Sequence, residues 1–456
     1  MPEVLIVGAG PVGIMLGAEL TRRGVEAVVL ERRTAVGAAS RAIGLHAPVL
    51  AALEDGGATE RILAGAVRVA RGECRGLGAD GWERLGTVRF DRLSLRFPFV
   101  ATLPQPATEA ALGHGGAPVV RGETVTAIRR DGDRVRVLSS GADGQREWDA
   151  AVVVVAGGSA ARDLVYRPGA IAVRHYPDRY LMVDAPVPER ADAETAVVTL
   201  APGGVLESFP LPGGRRRFVA WDRRDAGEGS GGAGSGSAGA GSTGAGWLVG
   251  AGAGSLGAES GLLAGAGAGS LAGAGAGSAG AESGSLAGAG AGSLAGTAAE
   301  DPAERDRRLR RALEERGEAD AAASAIGATS FRVRRAVAPR LRRGRVLVVG
   351  DAAHEVSPIG GQGLNLGLLD AAGLAPLLTG WLHTGLAPNL DLERWEQRRV
   401  RSARIAAGIA TLNTALGRPL GARADAARSA ALRVALSGAS ARVFAHAYAM
   451  GFDRGA

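Results

Sequence analysis

A chain of 456 residues is long enough for one large or two ordinary domains around a sizeable core. Its single cysteine, Cys74, excludes an intramolecular disulfide framework and any Cys-rich zinc or iron–sulfur site, so no metal is expected. The net charge of +7 rests on arginine alone, since none of the 53 basic residues is lysine, and it invites a nucleic-acid reading. The cluster at 307–311 is interleaved with Glu304, Asp306, Glu314 and Glu315, which reads as a salt-bridged, solvated helix. No aromatic-interleaved basic groove accompanies it, so no nucleic-acid partner is expected. Without a basic leader or a long uncharged apolar run outside the Ala/Gly repeats, a cytoplasmic protein with no membrane partner is expected.

Residues 3–8 (EVLIVG) form a continuous apolar run, as a strand buried on both faces requires. Val12, Met15, Leu16 and Leu20 then recur at helical spacing until Gly24. Residues 25–31 (VEAVVLE) are a second buried strand ending in an acid, completing a βαβ unit. Residues 46–65 read as one helix, 84–103 as alternating strands, and 106–112 as the start of a helix. Residues 119–138 hold two strands broken at Asp131-Gly132-Asp133, a hairpin signal, and 151–156 (AVVVVA) are another buried strand. Residues 170–221 alternate as an antiparallel sheet, with turns at 202–204 and 212–214. Residues 301–317 read as a helix with Asp301 as N-cap and Pro302 at its first position. A last buried strand at 345–350 (RVLVVG) precedes a mostly helical 363–450.

The stretch 226–299 differs in kind. It repeats GAGAGS-like units and holds 27 of the 73 glycines, all between 227 and 296. Glycine this dense costs more chain entropy than its few apolar side chains can offset, so a disordered surface insertion is expected. Loop closure costs little more for a long loop than for a short one, and a folded domain tolerates it.

Gly8-Ala9-Gly10-Pro11-Val12-Gly13 is a G-x-G-x-x-G between the first strand and its helix. Gly8 permits the tight turn, Gly10 lets the backbone approach a pyrophosphate, and Gly13 allows close helix–strand packing. The helix N-terminus offers unpaired N–H groups to phosphates. Glu31, 18 residues beyond Gly13, can accept from ribose hydroxyls. This pattern alone leaves FAD and NAD both open.

Three further segments resemble the FAD-dependent aromatic hydroxylases, the class A flavoprotein monooxygenases typified by para-hydroxybenzoate hydroxylase and its polyketide-tailoring relatives. They are Ser40-Arg41-Ala42-Ile43-Gly44-Leu45-His46, Leu103-Pro104-Gln105-Pro106-Ala107-Thr108-Glu109, and Gly350-Asp351-Ala352-Ala353-His354 followed by Pro358-Ile359-Gly360-Gly361-Gln362-Gly363-Leu364-Asn365. The resemblance implies a cofactor site of Gly8, Gly10, Pro11, Val12, Gly13, Glu31, Arg32, Arg41, Gln105, Gly350, Asp351, Pro358, Gly361, Gly363, Leu364 and Asn365. Within it Arg41 would reach the pyrophosphate and Asp351 the ribitol or ribose. Thr108 would cap the following helix, and His354 would pack beside the flavin. One departure stands out: where the family carries an Asp-Gly pair after the strand at 151–156, this chain has Gly157-Gly158, with Arg162 as the nearest cation to substitute in part.

The implied fold is α/β: a Rossmann-like FAD-binding domain, an antiparallel-sheet substrate domain and a helical C-terminal part. FAD-binding segments are expected at 1–80, 106–168 and 345–456, and substrate-domain segments at 81–105, 169–225 and 300–344, with the insertion at 226–299. The implied activity is hydroxylation of an aromatic or polyketide-like substrate by O2 through a flavin C4a-hydroperoxide, with NAD(P)H as donor, in a monomer or homodimer. Phe97, Phe99, Tyr180, Met182 and Phe209 are candidate substrate residues on the alternating strands; no catalytic residue is assigned. An FAD-dependent reductase or dehydrogenase of the same superfamily remains open, as does a non-catalytic flavoprotein whose insertion mediates association.

Overall fold

The computed structural model describes residues 2–37, 42–78, 80–223 and 300–453, all within one unit, Met1–Arg224 with Glu300–Ala456. The insertion at 226–299 lies outside the described residues.

The apolar runs do pair in parallel. Val4–Val7 sits between Ala27–Glu31 and Val152–Val155, and Val346–Val348 extends the sheet beyond Val152–Val155. Arg342–Arg343 and Val119–Arg121 complete its six strands. Val4, Leu5, Ile6 and Val152 to Val155 are wholly buried, which is what a parallel sheet covered on both faces demands. A three-stranded meander, Thr124–Asp131, Arg134–Gly141 and Gly144–Ala150, contributes Val135, Val137 and Ala150 to the same core. Its first turn falls at the expected Asp-Gly-Asp, while its third strand extends past the expected hairpin.

The second sheet has eight strands, in the order His354–Glu355, Thr329–Val337, Arg174–Pro186, Arg215–Trp221, Gly204–Leu211, Thr195–Ala201, Arg71–Gly78 and Gly81–Arg89. It is antiparallel apart from the pairing of Thr195–Ala201 with Arg71–Gly78, which is parallel. One face is covered by the helices Pro302–Glu314 and Ala319–Ala322, through Leu206, Phe218, Leu309 and Leu313. Asp301 caps the first of them, accepting from the Ala303 N–H at 3.0 Å, with Pro302 at its first position. On this helix Arg307 pairs with Glu304, and Arg308 with Asp222 and Glu300, as a salt-bridged face should.

Two expectations shift. Residues 46–65 form two helices, Ala47–Ala52 and Ala58–Gly65, because Gly57 turns the chain left-handed (φ +69°) between them. After Gly81–Arg89 the chain makes a short 3-10 turn, and only Val100–Thr102 returns to extended pairing. Four helices follow from residue 362 onward: Gln362–Thr384, Asn389–Leu416, Ala422–Ala435 and Gly438–Tyr448. None of the described helices is long and apolar enough to cross a membrane.

Candidate functional site

The segment 346–355 joins the two sheets. Val346–Val348 belongs to the parallel sheet, and His354–Glu355 pairs with Thr329–Val337 of the large one. Between them lies the Gly-Asp turn. Gly350 takes φ +64°, and its N–H donates to Asp370 Oδ2 at 3.0 Å. Asp370 also meets His354 Nε2 at 2.6 Å and accepts from Arg399 Nε at 2.8 Å. Burial pushes the Asp370 carboxyl up, but His354 and Arg399 outweigh it and hold the group below the usual carboxylate range. His354 is therefore a strut of the turn, bonded to the helix Gln362–Thr384. The helix Asn389–Leu416 braces the same turn: Trp395 Nε1 donates to the Asp370 carbonyl at 3.1 Å, and Arg399 grips Asp453 at 2.8 Å.

The glycine turn faces this strut. A Cβ at Gly8 (φ +107°) would lie 2.5 Å from the Gly157 Cα, and one at Gly13 would strike the Gly8 carbonyl. At Gly10 a Cβ would meet nothing within 4 Å. Gly10 is the N-cap of Pro11–Arg22, in extended conformation with no side-chain cap, so no side chain takes up the first N–H groups of the helix. Val12 docks the helix onto the Gly-Asp turn, 3.3 Å from where a Gly350 Cβ would stand. Glu31 is buried; its Oε2 accepts from the Ala9 N–H at 2.7 Å, and its Oε1 from Arg33 Nε at 2.8 Å. Burial alone would raise its pKa, yet Arg33 and the two backbone N–H groups keep it below the ordinary value. Arg32, expected at the cofactor, is exposed, and Arg33 pairs with Glu31.

The third cofactor segment builds a second helix start. Gly360 (φ +100°) and Gly361 (φ +67°) turn into Gln362–Thr384, again with no side-chain cap. Pro358 is exposed, Leu364 packs on the main core, and a Cβ at Gly363 would lie 3.4 Å from Val356. Asn365 ties this turn to the segment before the first short helix: its Oδ1 accepts from the His46 N–H at 2.8 Å, and its Nδ2 donates to the Gly44 and Gly361 carbonyls at 2.9 Å each. Gln105 accepts from the Ala42 N–H at 3.3 Å and begins the helix Gln105–Leu112. Thr108 does not cap that helix; it is buried one turn in and bonds back to the Pro104 carbonyl at 3.4 Å. Asp351 is exposed beside the turn. Arg41 lies outside the described residues.

Buried polar atoms without partners mark where a ligand fits. Gln362 is 1% exposed, and neither its Oε1 nor its Nε2 has a partner; His46 Nδ1 is equally orphaned. Burial pushes His46 down to about 4, against a backbone hydrogen bond at Gly361 that raises it, so the ring is neutral. Sequence pattern gives neither residue a role, although His46 closes the segment 40–46 and Gln362 lies within 358–365. A dinucleotide whose phosphates meet Gly10, and whose polar ring meets Gln362 and His46, satisfies both the open cradle and the orphaned groups.

The Gly157 departure is built in. A Cβ there would lie 2.6 Å from the Ala161 Cβ, and the Gly8 turn presses on the same backbone. Arg162 is tied into the Gly-Asp turn. Its Nη2 donates to the Asp351 carbonyl at 2.9 Å, and its Nε to the Ala352 carbonyl at 3.3 Å.

The substrate candidates separate. Tyr180, wholly buried and stacked on Phe331 at 5.6 Å, and Met182 lie in one cluster of the large sheet, and Phe209 in the neighbouring one. Phe97 and Phe99 pack edge to face at 6.1 Å against the parallel-sheet core.

A family model described as "FAD binding domain" matches residues 1–166 and 293–407, more than half of the chain. A 12-dehydrotetracycline 5-monooxygenase/anhydrotetracycline 6-monooxygenase of Streptomyces rimosus is 35% identical over 169 residues, covering 36% of this chain and 32% of that one. A 6-methylpretetramide 4-monooxygenase of Streptomyces rimosus is 27% identical over 398 residues, 82% of this chain and 55% of that one. The chain thus spans between about a third and about half of the length of these relatives. The p-nitrophenol 4-monooxygenase PnpA of Pseudomonas putida shares the fold, with a TM-score of 0.72 at 20% identity over 100% of this chain and 98% of that one. The chain belongs to the FAD-binding family with the para-hydroxybenzoate hydroxylase-like fold, and FAD is its cofactor.

Proposed function

We propose that the protein is an FAD-dependent monooxygenase that hydroxylates an aromatic or polyketide-like small molecule, with NAD(P)H as electron donor and O2 as co-substrate. The observation that carries this reading is the open, uncapped helix start at Gly10, facing a Gly-Asp turn strutted by Asp370. FAD, when bound, supplies hydride acceptance and oxygen activation; the protein supplies orientation, charge and exclusion of water. The N–H groups after Gly10 would hold the pyrophosphate, and Glu31, fixed by Ala9 and Arg33, keeps lone pairs for ribose hydroxyls. The uncapped start of Gln362–Thr384 favours negative charge on a ring beside it. Gln362 and neutral His46 would orient that ring by hydrogen bonds. Tyr180, Met182 and Phe209 would line the substrate side.

The test begins with the visible spectrum of the purified protein and anaerobic addition of NADPH or NADH. Bleaching that recovers in air, with one atom of 18O from labelled O2 in a hydroxylated aromatic product, is the expected result. A yellow protein that neither nucleotide bleaches overturns the donor assignment. Gly157, standing where the family carries an aspartate, favours a second reading, a reductase or dehydrogenase of the same superfamily; reduction without 18O in any product selects it.

A further inference from the structure

The face of the large sheet opposite the helices Pro302–Glu314 and Ala319–Ala322 lies against the turn before the second helix start and, through Leu432, Leu436 and Phe444, against the last two helices. Ile359, in the turn before that helix, packs with Tyr180, Val205 and Val219, and Tyr448 of the last helix packs with Phe209. Alternation along Gly204–Leu211 puts Val205, Glu207 and Phe209 on this one face. In register, Glu207 stands between Val198 and Val219, with Met182 one strand further on and Cys74 at the other end of the row. An isolated carboxyl therefore occupies the middle of an apolar row. It is 5% exposed, and burial alone, with no ion pair or hydrogen bond opposing it, pushes it up to about 8.

A carboxyl largely withdrawn from water among apolar neighbours is costly, so a purely structural sheet would be better served by an apolar side chain here. Two phenols are within electrostatic reach of it. Tyr180 is wholly buried with its Oη unpartnered, and Tyr448 lies beside the Gly360 turn. Burial, and after it the Glu207 charge among others, raises both phenols.

We propose that Glu207 is a substrate-contacting residue whose carboxyl group, together with the Tyr180 hydroxyl, donates hydrogen bonds to a ketone, quinone or phenolate oxygen of a flat, largely apolar aromatic substrate. This rests on the monooxygenase reading above. The chemistry follows from the donor inventory: a neutral carboxyl and a phenol each offer one O–H, and both are lost as donors on ionisation. The row of Met182, Val219, Val198 and Cys74 holds no cation, so it matches an uncharged ring system carrying acceptor oxygens rather than a carboxylate-bearing one.

The surrounding titratable groups leave Glu207 distinct. Burial pushes the Cys74 thiol up to about 12, opposed by Arg428, and the two phenols are raised as well. His46, whose ring lies 6.0 Å from that of Tyr448, is pushed down to about 4. The Asp178–Arg418 ion pair, 2.8 Å, flanks Tyr180.

The experiment titrates fluorenone, a flat tricycle whose only polar atom is a ketone oxygen, into the FAD-loaded full chain between about pH 6 and about pH 9. Affinity is read from the oxidised flavin spectrum, and the hydrogen bond from the infrared carbonyl band of bound fluorenone. The wild type should bind about tenfold more weakly at the alkaline end, with an inflection near pH 8, the worth of one good hydrogen bond. Glu207→Gln keeps an N–H donor; it should retain the low-pH affinity within about threefold and lose the inflection. Glu207→Leu should bind about tenfold more weakly at low pH and lose the carbonyl shift. An inflection that persists in Glu207→Gln, a Glu207→Leu protein that binds like wild type, or a wild type that binds no fluorenone would each overturn the proposal. Should Glu207→Leu fail to fold, the Glu207→Gln profile decides. Reduction by NAD(P)H and 18O incorporation are read separately, so a monooxygenase indifferent to position 207 loses this inference alone. The infrared band needs no flavin, so a chain that binds fluorenone through Glu207 but never incorporates 18O loses only the monooxygenase reading.

Discussion

Glycines of the nucleotide turn do different work, and substitution separates them. Gly10 has ordinary backbone angles (φ −80°, ψ 177°) and open space where a Cβ would be. Gly10→Ala should therefore fold with stability within about 1 kcal/mol of wild type, while the methyl occupies the phosphate approach and weakens FAD binding by at least about tenfold. Gly8→Ala meets both a left-handed backbone (φ +107°) and the Gly157 Cα at 2.5 Å, penalties of about 1–3 kcal/mol each, and should fail at the level of folding. Thermal melting of the flavin-free chain beside a flavin titration tells the two apart. At Gly157 the crowding comes from the Ala161 Cβ at 2.6 Å. Gly157→Asp should cost about 1–3 kcal/mol by overpacking, and adding Ala161→Gly should recover most of it. If the single variant melts with wild type, the departure at 157 is not enforced by packing.

Elements made of local pattern were legible; elements made by distant partners were not. The runs at 3–8, 25–31, 151–156 and 345–350 reveal parallel strands because burial on both faces leaves no polar slot in them. The strand Arg71–Gly78 (RGECRGLG) has almost no apolar alternation to announce it, and it exists through parallel pairing with Thr195–Ala201 more than a hundred residues away. The cofactor turns were readable from glycine spacing, but their struts were not. Nothing in Leu368-Leu369-Asp370 says that its carboxylate will hold the Gly350 N–H, His354 and Arg399 together. Glu207 escaped for the same reason: a carboxylate in an alternating slot looks like a solvent position until its own face is seen to be covered by the turn at Ile359 and the last two helices. Asp370→Asn tests the strut. It leaves a buried Arg399 short of one partner and should cost about 3–5 kcal/mol in denaturant unfolding. Removing the exposed Asp391–Arg394 pair of the neighbouring helix should cost under about 1 kcal/mol. Equal losses in the two variants would show that burial of the pair contributes nothing.

For the whole molecule, Glu207 and His46, two buried groups whose shifts come chiefly from burial, set opposite pH limbs. Glu207 is raised from 4.5 to about 8, so between those values the folded chain holds a proton that the unfolded chain has released. Stability then falls as pH rises, by up to about 1.4 kcal/mol per unit. His46 is lowered from 6.5 to about 4, so over that span the unfolded chain takes up a proton the folded ring refuses, and stability falls as pH drops. From about 4.5 to 6.5 the two slopes oppose each other, which predicts a plateau followed by a decline toward about pH 8. Glu31 and Asp370, both held below the usual range, add a further loss as pH falls through the ordinary carboxylate region. Melting of the flavin-free full chain across this range checks the shape, and two variants resolve it. In Glu207→Gln the alkaline decline should vanish, leaving stability that climbs to about pH 6.5 and then levels. In His46→Asn the plateau should vanish, leaving a fall from about pH 4.5 to about 8. Unchanged profiles in both variants would mean that neither group is buried in the state that folds. The cofactor cradle and the substrate face, which these two residues occupy, would then need to be redrawn together.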